Sequence, residues 1–174
     1  LTNLLISGLP RSGKTTLVRK LLELNLLKNS SGGFFTEEIR EQDERVGFMI
    51  HTIPEKKRAL LASKNFLSRV RVGSYGVNTN ALENLACQSV EKSLKMKNIV
   101  IIDEIGKMEL HSDRFRMVLF KALDSPLKVL ATIMERPNPI ADQIKNRTDV
   151  KILTLNRKNF AQVFEKSKEW IKLL

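Results

Sequence analysis

Two hydrophobic rhythms alternate along this chain. Short unbroken apolar runs such as Leu4-Leu5-Ile6 and Ile99-Val100-Ile101-Ile102 read as strands buried on both faces, as in parallel sheet. Between them the apolar positions recur every three or four residues. Residues 81–97 carry Leu82, Leu85, Ala86, Val90 and Leu94, and residues 113–123 carry Phe115, Val118, Leu119 and Ala122 behind a Ser112-Asp113 cap, the spacing of amphipathic helices. The pattern predicts strands over 4–6, 98–102, 128–133 and 150–155. It predicts helices over 16–22, 81–97, 113–123 and 139–146, and a closing helix striped by Phe160, Val163, Phe164, Ser167 and Ile171. Strands alternating with helices imply a mostly parallel sheet with right-handed crossovers.

The early part of the chain departs from that alternation. Asn29-Ser30-Ser31-Gly32-Gly33 is a breaker cluster, and 34–40 and 46–53 read as strands too close together for a crossover. An antiparallel hairpin inserted in the α/β scaffold is expected there, with 58–62 as a third short strand. A glycine-punctuated segment at 70–77 then leads into an Asn78-Thr79-Asn80 helix cap.

Chemistry enters where the first strand meets the first helix. Gly8-Leu9-Pro10-Arg11-Ser12-Gly13-Lys14-Thr15 is G-x-x-x-x-G-K-T, a phosphate-binding P-loop or Walker A pattern, and its flanks are a strand and a helix as the chemistry requires. The glycines let backbone N–H groups turn toward a phosphate, and the helix adds the positive end of its dipole. Residues Gly8 to Thr16 are therefore candidate nucleotide ligands. Lys14 is placed for the β/γ-phosphates and the Thr15 hydroxyl for Mg²⁺.

The strand at 98–102 ends in Asp103-Glu104, two carboxylates delivered to the sheet edge where ligands of open α/β folds bind. Asp103 is the expected Walker B metal residue, and Glu104 a candidate catalytic base that orients or deprotonates water. The strand residues around them, Ile101, Ile102 and Ile105, are assigned to the same nucleotide site. Thr132, ending the next strand, is a candidate γ-phosphate sensor. Arg136 and Arg147 are candidate fingers for the transition state. His51 and His111 have no partner cluster and read as structural.

Composition narrows the setting. At 174 residues, 42% hydrophobic and 28% charged, the chain is expected to form one domain with a sizeable core. No apolar run approaches the length of a bilayer span. The first apolar stretch is too short for a secretory signal and runs straight into the P-loop. The sequence opens on Leu1 rather than Met, which leaves room for a residue or short leader before it. A lone Cys87 makes no internal disulfide, which fits a cytoplasmic location. The net charge of +11 is scattered over Lys56-Lys57-Arg58, Lys92, Lys95, Lys97, Lys166, Lys168 and Lys172. No aromatic side chains interleave with it as in a nucleic-acid platform. A solvated basic surface is favoured over a nucleic-acid partner.

Asp103-Glu104-Ile105-Gly106-Lys107-Met108-Glu109-Leu110 resembles the signature of a small nucleoside-triphosphatase family known from thermophilic archaea and bacteria, which includes the cancer-related nucleoside-triphosphatase. Gly33 to Arg40 with Arg45-Val46-Gly47-Phe48, Gly73 to Val77, and Asn146 to Asp149 are similar to three further blocks of that family. The resemblance runs from the P-loop to near residue 155. It implies a three-layer, RecA-like P-loop NTPase fold and Mg²⁺-dependent hydrolysis of ATP, GTP, CTP, UTP and TTP with little base selectivity. By position it gives Gly8 to Thr16 to the phosphates, Asp103 to the metal and Glu104 to water activation. This chain departs from the family in carrying Arg11 where glycine is usual, and Pro54-Glu55-Lys56-Lys57 where a glycine turn is typical. Two other readings stay open: a nucleotide or small-molecule kinase, and a nucleic-acid-dependent ATPase.

Overall fold

The structure, a computed structural model, describes residues 2–96 and 99–173. Lys97 and Asn98, where one predicted helix ends and the next strand begins, lie outside the described residues.

The chain runs β1 (Asn3–Gly8), α1 (Lys14–Leu22), α2 (Asn25–Lys28), β2 (Ser31–Glu41), β3 (Glu44–Ile53), β4 (Arg58–Ser63), β5 (Arg71–Val72) and β6 (Tyr75–Val77). It continues through α3 (Thr79–Ala81), a π-helical stretch at Leu82–Cys87, α4 (Gln88–Met96), β7 (Ile99–Ile105) and a 3₁₀ turn at Glu109–His111. The remaining elements are α5 (Asp113–Leu123), β8 (Val129–Met134), α6 (Pro139–Lys145), β9 (Val150–Thr154) and α7 (Phe160–Lys172). The described strands form one nine-stranded sheet in the order β5-β6-β4-β3-β2-β7-β8-β1-β9. From β2 to β9 neighbouring strands are parallel, and from β2 to β5 they are antiparallel.

Strand alternation builds three layers. Leu4, Ile6, Ile99, Ile101 and Leu130 face α1 and α7, where Leu17, Leu21, Val163 and Ile171 close one core. Leu5, Val100, Ile102, Val129 and Ala131 face the other way, against Val90, Phe115, Leu119 and Ile144. Successive strand residues point to opposite faces, so unbroken apolar runs supply both cores at once. The predicted caps are in place: Asn78 Oδ1 accepts from Ala81 N at 3.0 Å, and Ser112 Oγ accepts from Phe115 N at 3.0 Å.

The glycine cluster behaves differently from its reading as a breaker. Strand β2 starts at Ser31 and runs through Gly32 and Gly33. A Cβ on Gly33 would lie 2.1 Å from the Ile101 carbonyl oxygen, and Gly33 sits at φ +119°. The glycine is there for the close approach of β7, a tertiary reason invisible in local composition. The hairpin is likewise continuous with the scaffold. Residues Ser31 to Phe34 pair in parallel with Ile99 to Ile102, and Gly33 to Glu41 pair antiparallel with β3. Gln42 and Asp43, at φ 45° and 65°, close the two-residue turn with the primed twist that hairpins favour. The helix predicted over 81–97 is interrupted by the π-helical stretch at Leu82–Cys87, which apolar spacing alone does not reveal.

Candidate active site

Strand β1 ends at Gly8, five residues turn, and α1 begins at Lys14. A Cβ on Gly8 would meet the Leu155 carbonyl oxygen at 2.5 Å and Ser12 Oγ at 2.7 Å, so the loop closes only on glycine. Arg11 takes φ +65°, the left-handed conformation that explains why glycine suits this position and that costs a side chain about 1–2 kcal/mol. Inside the loop the Lys14 ammonium donates to the Gly8 and Leu9 carbonyls at 2.8 and 3.3 Å. Only 7% of its side chain is exposed, and Glu104 Oε1 stands 3.8 Å away.

The two carboxylates reach the loop through a bulge. Ile102 pairs with Ala131 and Ile105 with Ile133, three steps of β7 against two of β8. The extra residue re-aims the strand end, and Asp103 and Glu104 both come to the P-loop side. Asp103 is fully buried. Its carboxylate accepts from Thr15 Oγ1 at 2.8 Å, from Thr132 Oγ1, and from the Thr36 N–H at 3.4 Å. Burial raises its pKa, against the pull of these donors and of Lys14. Burial likewise pushes Glu104 up to about 6; the Lys14 charge opposes this and the Asp103 charge adds to it. Behind them Glu109, 4% exposed, is pushed up to about 8 by burial and by the Glu104 charge.

Lys14, Thr15 and Glu104 open on a cleft of about 950 Å³, with Asp103 and Glu109 buried behind its lining. Of the expected residues, Gly8, Pro10, Arg11, Gly13, Lys14, Thr15, Thr16, Glu104 and Arg136 line it. Leu9 is exposed on the loop, and the Ser12 hydroxyl is buried with no hydrogen-bond partner among the described residues. Ile101, Ile102 and Ile105, assigned to the site from the sequence, are fully buried in the two cores and do not line the cleft. They anchor the strand that carries the carboxylates. Thr132, read as a γ-phosphate sensor, is fully buried and gives its hydroxyl to Asp103.

Arg147, read as a candidate finger, does not line the cleft. Its guanidinium pairs with Asp124 and Asp149 at 2.8 Å each, and Asn3 Nδ2 donates to Asp149 at 2.9 Å. That network braces the start of β1, at the sheet edge opposite the P-loop. Arg45, Phe48, Val72, Tyr75, Lys107 and Met108 also line the cleft, although no phosphate or metal motif marks them as site residues. Their signal in the sequence is the set of blocks shared with the family, which hold all six except Val72.

Among the described residues no group of three or more His, Cys, Asp or Glu gathers as a metal cage. The Thr15 hydroxyl and Asp103 carboxylate, 2.8 Å apart, instead offer two hard oxygen donors. Proteins in general bind Mg²⁺ through few side chains and several waters, at about 2.0–2.1 Å.

A phosphate loop between β1 and α1, with an Asp-Glu tip on β7 and one strand between them, defines the P-loop NTPase class. The chain belongs to the NTPase family, whose family model matches residues 3–167. It is similar to the nucleoside-triphosphatase THEP1 of Thermotoga maritima, 47% identical over 156 residues, 90% of this chain and 87% of that one. Among solved structures, the crystal structure of THEP1 from the hyperthermophile Aquifex aeolicus matches with a TM-score of 0.86 at 37% identity, covering 95% of this chain and 96% of that one. The solution structure of a human cancer-related nucleoside triphosphatase matches with a TM-score of 0.81 at 30% identity, covering 98% and 97%.

Proposed function

We propose that the protein hydrolyses nucleoside triphosphates, NTP plus water giving NDP plus phosphate, with Mg²⁺ as cofactor and little preference among ATP, GTP, CTP, UTP and TTP. The observation that carries this reading is the 3.8 Å separation of Lys14 Nζ and Glu104 Oε1 inside one cleft. A cation for the γ-phosphate and a carboxylate for the attacking water stand side by side. With its pKa at about 6, Glu104 is ionised at neutral pH and can take a proton from water as the oxygen attacks phosphorus. The bond from phosphorus to the bridging oxygen breaks, and its electrons leave on the NDP. Lys14 offsets the charge spread over the γ-oxygens, and the P-loop amides hold the phosphates in line.

Mg²⁺, held by Thr15 and Asp103 when bound, supplies further charge neutralisation. Thr132 and Thr36 fix the Asp103 carboxylate from the sheet side. The catalytic unit is the single domain 1–174. Cys87 is buried, and burial pushes its thiol up to about 12, which leaves it inert as a nucleophile.

The test is phosphate release from ATP, GTP, CTP and UTP, with and without Mg²⁺, for wild type and Lys14→Ala. Release from all four, lost in the variant and without metal, is expected. Bound nucleotide with no release would overturn hydrolysis and bring the kinase reading forward.

A further inference from the structure

The cleft does not end at Glu104. In the sheet order β1 and its phosphate loop lie to one side of β7, beyond β8, while β3, β6 and β5 lie to the other side, beyond β2. In-line phosphoryl transfer brings the nucleophile in opposite the leaving bridging oxygen. With Lys14 on the β/γ-phosphates and Glu104 on the water, the nucleoside end of the NTP leads away from Glu104. The wall beyond Glu104 therefore faces the nucleophile's side of the γ-phosphate.

That wall is a built surface. Phe48 of β3 and Tyr75 of β6 meet edge to face, with ring centres 5.4 Å apart and planes at 65°. The Arg45 guanidinium lies 5.1 Å from the Phe48 ring centre and 5.7 Å from that of Tyr75. Its Nε donates to the Tyr75 hydroxyl at 3.1 Å and its Nη1 to Glu38 at 3.0 Å. The Tyr75 hydroxyl in turn donates to the Arg45 carbonyl at 3.1 Å. Val72 and Met108 add apolar surface and Lys107 a second cation to the same cleft. Half-buried rings with cations beside them suit a planar aromatic ligand carrying an anionic group. The cleft's 950 Å³ is near the top of the range of about 300–1,000 Å³ for small-molecule sites, which leaves room beside a triphosphate.

We propose that this wall is a second nucleotide subsite, holding a nucleoside monophosphate beyond the γ-phosphate with its base against Phe48 and Val72 and its phosphate toward Arg45 and Lys107. The assignment rests on the hydrolytic reading for the direction of the NTP. An occupant there covers the side from which water enters, and hydrolysis slows as the subsite fills.

The test loads the protein with Mg²⁺ and a β,γ-methylene NTP analogue, then titrates AMP, GMP, CMP and UMP by calorimetry. One equivalent of monophosphate is expected to bind the loaded protein. Phe48→Ala should weaken that binding at least tenfold and Phe48→Leu less, with the analogue's own Kd moving under twofold. Thermal melts report whether each variant folds. Should Phe48→Ala not fold, Phe48→Leu and Arg45→Lys carry the test. No monophosphate bound to the loaded protein would overturn the proposal. So would a Phe48 variant that weakens the analogue itself, which would assign the wall to the NTP's own base. Neither result touches hydrolysis, which is read separately from phosphate release by the wild type.

Discussion

The two halves of the sheet solve different problems. In the parallel half, every residue of β1 and all but one of β7 are buried, and the phosphate loop and carboxylates sit at the strand tips. The antiparallel half, β3 to β6, is only half covered: β3 buries Gly47, Ile50 and Thr52 and leaves its other positions partly or fully exposed, and its side chains form a wall rather than a tip. One half places backbone and charge at a point; the other presents aromatic and cationic surface over an area. Rigidity belongs to the half buried on both faces, and ligand-facing surface to the half that is not.

Removing the charged point should have the largest effect. Glu104→Gln is expected to lower kcat about 10²–10⁴-fold, the range of a lost general base, while Mg-nucleotide still binds by calorimetry. Activity near wild type in that variant would remove Glu104 from the chemistry. Core truncation tests the rigidity side of the contrast. Ile101→Ala, in the fully buried strand, should cost about 2–5 kcal/mol by urea unfolding. Phe48→Ala, on the half-covered wall, should cost less. A larger loss at Phe48 would reverse the ranking of the two halves.

The pH dependence of stability probes the buried carboxyl behind the tip. Glu109 is raised from 4.5 to about 8 in the folded state. The folded protein therefore favours its neutral form. That contribution is full below pH 4.5 and is lost as pH rises through about 8. Glu109→Gln, which cannot ionise, should melt higher relative to wild type at pH 9 than at pH 6. Parallel curves for the two proteins would show that Glu109 ionises freely.

Two arginines sharpen the picture at smaller scale. Arg147→Ala should leave kcat within twofold and lower stability by about 1 kcal/mol, as for a partly exposed ion-pair network; a large fall in kcat would return Arg147 to the active site. Arg11→Gly relieves a left-handed side chain but frees the unfolded backbone, so a net gain below about 1 kcal/mol is expected. A clear loss of stability would mean that the Arg11 side chain makes compensating contacts.

Much of the catalytic point is legible in the amino-acid order. G-x-x-x-x-G-K-T and Asp103-Glu104 are contiguous, and their neighbours within a few residues already say strand, loop or helix. What stays illegible depends on partners far along the chain. Gly32 and Gly33 look like a breaker until β7 is found lying against Gly33. Thr132 looks like a sensor until Asp103 takes its hydroxyl. Arg147 looks like a finger until β1 is followed to its other end. Arg45, Phe48 and Tyr75 span 30 positions and meet only because β3 and β6 share a sheet.

The division follows from the range of the forces involved. Hydrophobic periodicity, turn glycines and helix caps act between residues a few positions apart. The amino-acid order therefore sufficed for the strand–loop–helix of the P-loop, the apolar strand ending in Asp-Glu, and the α/β class. Register, strand order and burial are set by contacts across the whole chain. These alone decided that Thr15, Thr36 and Thr132 converge on Asp103, that Lys14 stands beside Glu104, and that an aromatic–arginine wall faces the phosphate loop across the cleft.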